Sequence, residues 1–192
     1  KEIAEVVRKH DRLLIVDAIS SLSSIPVETD AWGLDVVVSG SQKGWMVAPG
    51  LAFVSVSPRA WEAQAKCTTP RFYFDLQRAR SSAEKGQTPW TPAVSLYFQL
   101  DRALQMLSAE GLANVYARHH RLAEKTRAGL QDLGLELFAA EGHRSDTVTA
   151  VKVPEGVDGS LITKTARTEF GTVLAGGQGS LSGKIFPFGH LG

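Results

Sequence analysis

The chain has 192 residues, of which 43% are hydrophobic and 21% are charged, and its formal net charge at pH 7 is +1. This composition is typical of a globular chain with one core or two small ones, and the charge excludes strong bulk attraction to nucleic acid or anionic membranes. The single cysteine, Cys67, excludes an internal disulfide, and no apolar run is long enough to predict a transmembrane helix.

The first half of the chain predicts two buried strands that end in polar residues. Residues 1–10 have the pattern of a helix end, and the apolar run at 13–16 predicts a strand that stops at Asp17. After an irregular turn over 18–31, the β-branched run at 36–38 predicts a second strand. The segment Ser-Gly-Ser-Gln-Lys-Gly-Trp at 39–45 follows it and contains Lys43. If the strands are parallel neighbours, Asp17 and Lys43 project from one edge of the sheet, where α/β sheets bind ligands.

A lysine and a carboxylate at such an edge suit pyridoxal phosphate. Lys43 can form a Schiff base with the aldehyde, and Asp17 can keep the pyridine nitrogen protonated so that the ring accepts electrons. Each residue also has an ordinary explanation. Lys43 is then a surface lysine on a loop, and Asp17 caps the turn that follows it.

The segment 16–45, VDAISSLSSIPVETDAWGLDVVVSGSQKGW, resembles the class V, fold-type I family of enzymes that depend on pyridoxal 5'-phosphate. Within that family it is most similar to the alanine/serine–glyoxylate aminotransferases, and the similarity continues through 88–92 to 183–192. The resemblance implies that Lys43 forms the internal aldimine and that Asp17 is the partner of the pyridine nitrogen. It also implies that Ile19 packs on one face of the ring and that Gln42 helps to hold the phosphate.

The resemblance implies an α/β fold. Residues 1–110 would form part of the cofactor-binding large domain, with a mainly parallel sheet and the start of the interdomain helix. Residues 111–192 would form an incomplete small α+β domain. We expect the chain to be a fragment, because members of the family carry a preceding segment with a glycine-rich phosphate loop. We expect the whole enzyme to be a cytoplasmic homodimer.

The middle of the chain is less regular. Residues 51–57 predict a strand antiparallel to its neighbour, because the link is short, and Ser57 with Pro58 predicts the start of a short helix. Residues 66–87 mix arginines with aromatic residues and fit a substrate-facing loop, a subunit contact or a solvated loop. Cys67 within this stretch is expected to be buried and structural.

The segment Thr-Pro-Trp-Thr-Pro at 88–92 predicts the start of a long helix, with Thr91 as its N-cap and Pro92 at its first position. A hydroxyl and free backbone N–H groups at a helix start favour a dianion. The resemblance implies that Thr88 reaches the cofactor phosphate of a partner subunit, with Thr91 as the alternative.

The remainder predicts short, mixed elements. A second amphipathic helix is expected over 112–133, strands over 135–138, 148–153, 172–175 and 185–188, and a helix over 160–170. His119 and His120 have no further ligand at metal-binding spacing and are expected on a solvated or interface face. The glycine-rich stretch 176–180 lacks the spacing of a nucleotide-binding loop and predicts a flexible loop.

One position departs from the family pattern. The resemblance implies an arginine that pairs with the substrate carboxylate, but the alignment of 183–192 places Pro187 there. Proline offers neither charge nor N–H. Three explanations remain: a changed sequence, a substitute cation, or a protein that binds cofactor without efficient transamination. The candidate substitute cations are Arg71, Arg78, Lys184 and His190.

The sequence therefore predicts an aminotransferase that moves an amino group from alanine or serine to a 2-oxo acid such as glyoxylate or pyruvate. A degenerate homologue that acts as a binding or scaffold subunit is one alternative, and Pro187 favours it. A cysteine desulfurase or lyase is another, and it requires an acidic or thiol nucleophile, for which Cys67 is the one available thiol.

Overall fold

A computed structural model describes residues 1–192. The chain forms two compact units: the first comprises residues 1–22 and 27–106, and the second comprises residues 23–26 and 107–192. None of its helices combines the length and the apolar character that crossing a membrane requires.

The chain contains six α-helices and five strands in an α/β arrangement. The helices are α1 (Glu2–Lys9), α2 (Pro58–Lys66), α3 (Leu76–Ala83), α4 (Val94–Glu110), α5 (Leu112–Asp132) and α6 (Gly159–Phe170). The strands are β1 (Ile15–Asp17), β2 (Val36–Gly40), β3 (Ala52–Val56), β4 (Val148–Lys152) and β5 (Ile185–Gly189).

The first unit contains a three-stranded sheet in the order β1-β2-β3. β1 and β2 are parallel, with Asp17 opposite Val38, and β2 and β3 are antiparallel. Val37 of β2 is buried and packs with Ala4 of α1, Ala18 and Leu34 in a small core. The two predicted parallel strands and the antiparallel third strand are therefore present. The carboxyl ends of β1 and β2 thus lie at the same end of the sheet, as predicted.

Asp35 connects β1, β2 and α2. It is 4% exposed, and its carboxylate accepts hydrogen bonds from the Leu14 N–H at 2.9 Å and from the Ser57 hydroxyl at 3.2 Å. Ser57 in turn accepts the Ala60 N–H and so caps α2, as its position before Pro58 predicts. A buried carboxylate is tolerated here because both of its oxygens have donors.

The second unit contains the two-stranded antiparallel sheet β4-β5. Val151 of β4 and Phe186 of β5 are buried against Leu130 of α5 and Leu137. Because side chains alternate across a strand, Ala150 and Pro187 lie on the opposite, less buried face. Short strands that pack on helices agree with the expected α+β character.

Pro187 fits β5 without losing a hydrogen bond to β4. It lies opposite Ala150, three pairs along from the hydrogen bond that the Val153 N–H donates to the Lys184 carbonyl at 2.8 Å. Hydrogen-bonded and non-hydrogen-bonded pairs alternate along an antiparallel ladder. The Pro187–Ala150 pair is therefore of the non-hydrogen-bonded kind, where the missing N–H of proline costs nothing.

Some predicted boundaries are wrong. Helix α4 begins at Val94, not at Pro92, and the Ala93 carbonyl, not that of Thr91, accepts the first helical hydrogen bonds. Thr91 is therefore not the N-cap. The stretch 66–87 is not wholly irregular, because α3 lies within it and is capped by Asp75. Helix α3 has only eight residues, too few to show a clear amphipathic period in the sequence.

Two predicted strands and one predicted surface position are also wrong. Residues 172–175 form no strand, and residues 135–138 supply only a single bridge, between Leu137 and Val151. His119 is not solvated: it is 1% exposed, and its Nδ1 lies 2.8 Å from the Val115 carbonyl oxygen. Its Nε2 accepts the Gly192 N–H at 3.3 Å, so both ring nitrogens have partners and the ring can be buried without an unpaired polar atom.

Asp35→Ala is expected to lower the free energy of unfolding by about 2–4 kcal/mol, because buried donors lose a charged acceptor. Urea titration followed by tryptophan fluorescence measures this change. The matched control is Asp30→Ala, since Asp30 is exposed and lies in the same loop; its effect should stay within about 0.5 kcal/mol. Equal losses in the two variants would contradict the role given to Asp35.

Candidate active site

The parallel pairing of β1 and β2 brings the positions of Asp17 and Lys43 to one edge of the sheet. Asp17 is the last residue of β1, and Lys43 lies three residues beyond Gly40, the last residue of β2. Both therefore follow the carboxyl ends of neighbouring parallel strands. Asp17 is exposed and Lys43 is partly buried.

Asp17 organises the turn that follows β1. One of its carboxylate oxygens accepts the Ile19 N–H at 2.9 Å, and the Ala18 N–H donates to the Val38 carbonyl at 2.8 Å. The turn is thus attached to β2, which fixes the direction of the Asp17 side chain. A carboxylate has about four acceptor positions, so this capping bond leaves capacity for a further donor.

Ser41 closes the turn that carries Lys43. It is fully buried, and its hydroxyl donates to the Ala48 carbonyl at 2.7 Å and accepts the Leu51 N–H at 3.2 Å. Its backbone N–H donates to the Leu51 carbonyl, and its carbonyl accepts the Val47 N–H, both at 3.1 Å. One small residue therefore ties both ends of the 41–51 loop.

The same loop is held from its centre. The Met46 N–H donates to the Lys43 carbonyl at 3.0 Å, and Met46 has a left-handed φ of 60°. The Trp45 indole N–H donates to the Ser39 hydroxyl at 3.0 Å, and its ring lies 5.0 Å from that of Phe53. Lys43 therefore projects from a backbone whose conformation is set before any ligand binds.

Ile19 and Gln42 are neighbours of the two charged residues. Ile19 is partly buried and lies at the end of the Asp17 turn, while Gln42 is exposed and precedes Lys43. A Cβ at Gly40 would lie 2.8 Å from the Gln42 side-chain oxygen. The Gln42 amide therefore lies over the end of β2, where it can donate at the same edge.

Thr88 lies in the segment that precedes α4. Its hydroxyl donates to the Trp90 carbonyl at 2.6 Å, and it lines an open cleft of about 950 Å³ together with Gln87, Pro92 and Tyr97. None of the other four predicted site residues lines this cleft. The structure thus brings Asp17, Lys43, Ile19 and Gln42 to one edge but does not join Thr88 to them.

An aromatic cluster adjoins this cleft. Trp90 stacks on Tyr73 with ring centroids 5.2 Å apart and an interplanar angle of 10°, and it lies 5.3 Å from Phe72. The Arg78 guanidinium lies 5.1 Å from the Trp90 ring and 5.3 Å from that of Phe72. These contacts give the 66–87 segment a defined structure despite its exposed aromatic residues.

The four cations proposed to replace the missing arginine have different surroundings. Arg71 donates to two backbone carbonyls, and Arg78 is stacked on aromatic rings. Both ring nitrogens of His190 are used in hydrogen bonds. By the alternation of β5, His190 continues the face that carries Phe186 and Phe188, which is opposite to that of Pro187. His190 therefore cannot substitute at position 187, whereas Lys184 remains exposed.

Cys67 is exposed, contrary to the expectation that it is buried. It follows Lys66, the last residue of α2, at the C-cap position of the helix. Hydrogen bonds from the Thr69 side chain and backbone lower the pKa of its thiol, and Arg71 acts in the same direction. The thiol is therefore accessible, but no structural contact connects it with the carboxyl ends of β1 and β2, where Asp17 and Lys43 lie.

The sequence did not reveal Ser41, Ser39 and Trp45 as the residues that support Lys43. Their hydrogen bonds join positions that are separated along the chain, so a periodic pattern cannot show them. The one signal was the cluster of small residues at 39–41, which indicates a tight turn but not its partners.

Comparison with known proteins places the chain in a family. The family described as "Aminotransferase class-V" matches residues 1–184. The chain belongs to the class V aminotransferases. This membership implies pyridoxal phosphate as the cofactor, and the fold is that of the fold-type I aminotransferases.

Individual relatives differ in their names. The chain is 52% identical over 180 residues to "Soluble hydrogenase, small subunit" of Synechococcus sp. (strain PCC 6716), which covers 94% of this chain and 47% of that protein. It is 43% identical over 185 residues to the L-aspartate–glyoxylate aminotransferase of Paracoccus denitrificans, covering 96% of this chain and 47% of that protein.

A solved structure gives a close structural match. The alanine–glyoxylate aminotransferase from Nostoc sp. superposes with a TM-score of 0.95 and 33% identity, covering 100% of this chain and 52% of that one. The chain thus spans about half the length of the relatives it matches.

The strand-end edge of the class V chain fits pyridoxal phosphate. It presents an amine on a fixed turn, a carboxylate with free acceptor capacity and a neighbouring amide, all at the carboxyl end of a parallel strand pair. An amine, a carboxylate and an amide are the group types that an aldehyde, a protonated pyridine nitrogen and a phosphate respectively require.

Ser41→Ala is expected to loosen the turn around Lys43 and to lower the free energy of unfolding by about 1–3 kcal/mol, because the Ala48 carbonyl and the Leu51 N–H lose their partly buried hydrogen bonds to the Ser41 hydroxyl. Limited proteolysis should show faster cleavage within residues 42–50, and urea titration should show the loss of stability. Ser20→Ala, at an exposed position, is the control. If both variants resist protease equally, the loop does not depend on Ser41.

Proposed function

We propose that the protein is a pyridoxal-phosphate-dependent aminotransferase in which Lys43 bears the catalytic amine. The observation that supports this most directly is the location of Lys43 and Asp17 at the carboxyl ends of two adjacent parallel strands, with Lys43 on a turn closed by buried Ser41. Family membership supports the same conclusion.

The bound cofactor supplies an aldehyde and an electron-accepting ring. Lys43 would hold that aldehyde covalently, and its amine, once displaced by the amino group of the substrate, would move the proton from the substrate Cα. The fixed Lys43–Met46 turn would keep the amine within reach of that proton, which is the geometric requirement of general base catalysis.

Asp17 would accept a hydrogen bond from the protonated ring nitrogen. An opposite charge close to a protonated nitrogen favours its charged form, so Asp17 would maintain the state of the ring that withdraws electrons. The Ile19 N–H holds one oxygen of this carboxylate in place. The Ile19 side chain would pack on the ring face, and the Gln42 amide would donate to the phosphate.

Thr88 would serve the cofactor of a second subunit. Its location on a separate cleft supports this arrangement over a role beside Lys43 in the same chain. Its hydroxyl donates to the Trp90 carbonyl in this structure, so to bind a phosphate, which only accepts, it would turn that single proton from Trp90 to the phosphate. We infer a cytoplasmic homodimer, with residues 1–110 in the large domain and 111–192 in the small domain.

The substrates would be small. The two aminotransferases reported above are both named for glyoxylate, with aspartate or alanine as the other substrate. We infer transfer from alanine or serine to glyoxylate or pyruvate. A panel of alanine, serine and aspartate against each acceptor would define the specificity.

Pro187 supports a second candidate, a subunit that binds cofactor without efficient turnover. A relative at 52% identity is named a hydrogenase subunit, and position 187 offers no charge for a substrate carboxylate. A protein that holds the cofactor but gives no amino transfer with any donor in the panel would support this candidate over the enzyme.

Lys43→Ala in the complete polypeptide is expected to abolish the visible absorption band of the bound cofactor and to lower turnover by about 10²–10⁴-fold, because the amine that moves the proton is lost. Lys43→Arg keeps the charge but should lose the band equally. Lys66→Ala, an exposed lysine, is the control. An unchanged spectrum in Lys43→Ala would remove the basis of the proposal.

Pro187→Arg is expected to raise kcat/KM for the amino donor by about 10–1000-fold, because a planar two-donor cation binds and orients a carboxylate. The backbone tolerates this change, since position 187 makes no ladder hydrogen bond to β4. Ala150→Arg places the same charge on the paired residue of the same face and is the control. A similar gain in both variants would indicate a general charge effect.

A further inference from the structure

A buried polar network surrounds the carboxyl end of β5 in the second unit, and the proposed function does not use it. Arg127 of α5 is 5% exposed. Its guanidinium donates to the Asp146 carboxylate at 3.1 Å, to the Ser145 carbonyl at 2.8 Å and to Glu124. The other Asp146 oxygen lies 3.0 Å from Nδ1 of His120. Both oxygens of Asp146 therefore have partners.

His190 connects β5 with this network. Its Nδ1 lies 3.1 Å from the Asp146 backbone carbonyl oxygen, and its Nε2 lies 3.0 Å from the Thr149 hydroxyl. Its own N–H donates to the Thr147 carbonyl at 3.1 Å. Because a carbonyl can only accept, Nδ1 carries the proton. In the neutral ring, Nε2 then accepts a hydrogen bond from the Thr149 hydroxyl.

Protonation reverses one of these bonds. Both nitrogens of a charged imidazole are donors, so the Thr149 oxygen would have to accept and its own proton would need another acceptor. Thr149 is only 5% exposed, which keeps water from supplying one readily. Burying an unpaired hydroxyl is unfavourable, and the network around β5 is therefore matched to neutral His190.

The charged groups around His190 do not offset this cost. From α5 it faces Arg127, whose charge opposes a further positive charge, and the buried His119, whose Nε2 accepts the Gly192 N–H at 3.3 Å. The 145–147 segment supplies Asp146, whose charge raises the pKa of His190 by less than Arg127 lowers it and which already binds Arg127 and His120. Glu124 is exposed and directed to Arg127, and β4 contributes the uncharged Thr149.

We propose that His190 is a pH-sensitive anchor for the carboxyl end of β5: its hydrogen bonds hold the strand end while the imidazole is neutral and release it when the imidazole is protonated. The anchored segment comprises residues 185–192. Pro187 lies on the less buried face of this segment, so the His190 anchor also controls how firmly position 187 is held.

The direction of the effect follows from the pKa of His190. Burial lowers this pKa, and Arg127 adds to the lowering, while the hydrogen bond to the Asp146 backbone and the charge of the Asp146 carboxylate oppose it. A histidine with a lowered pKa contributes stability that is complete above its ordinary value of about 6.5 and is lost as the pH falls through the folded value. Release is therefore an acidic event.

Hydrogen–deuterium exchange of the complete polypeptide, measured by mass spectrometry between about pH 5 and pH 8, tests this proposal. After correction for the intrinsic exchange rate, the peptide covering 185–192 should exchange faster at acidic pH. The expected increase is about tenfold for each unit by which the pKa of His190 is lowered. His190→Asn, which keeps a donor near the Nδ1 position but does not titrate, should give a flat profile.

Two further variants make the test decisive. His143→Asn replaces an exposed histidine of the same unit and should retain the wild-type pH dependence. His190→Gln provides a second non-titrating side chain if His190→Asn does not fold. A flat wild-type profile would overturn the proposal, as would an unchanged pH dependence in a folded His190 variant.

Discussion

The parallel pairing of β1 with β2 is the constraint on which the candidate site depends. It sets Asp17 opposite Val38, and it is extended by the Ala18 N–H bond to the Val38 carbonyl. Two chemically different residues therefore leave the sheet at the same edge although 26 positions separate them. A shift in the register of this pair would move the carboxylate relative to the amine and would remove the arrangement on which their proposed functions depend.

The polar groups near this pair have two separate tasks. Asp35 and Ser41 are buried and have acceptor and donor bonds that fix strands and loops, whereas Asp17 is exposed and Lys43 only partly buried. Stabilising bonds thus come from residues that never need to face a ligand. The residues proposed to contact the cofactor project from a backbone that is already ordered, which reduces the entropy lost on binding.

The second unit places different demands on the two faces of β5. Phe186 contributes to the core, and His190 extends the same face into the polar network of Arg127 and Asp146. Pro187 lies on the other face, at a position where the strand needs no N–H. This explains how the chain accommodates a proline there without distorting the strand, whatever the effect of that proline on substrate binding.

The sequence alone determined the family, the order of most elements and the residue types that follow the carboxyl ends of β1 and β2, because each of these is expressed in contiguous patterns. The apolar runs before Asp17 and Lys43, the Ser57–Pro58 cap and the helix that becomes α5 are examples. Local patterns were insufficient where several weak preferences compete, as at the start of α4, in the short α3 and in residues 172–175. Tertiary structure alone decided that His119 is buried, that Cys67 is exposed and that Ser41 closes the loop of Lys43. The burial of His119 and the exposure of Cys67 depend on which other elements pack over them, and the Ser41 hydrogen bonds join residues within one irregular loop, so no periodic pattern and no residue type at one position specifies them.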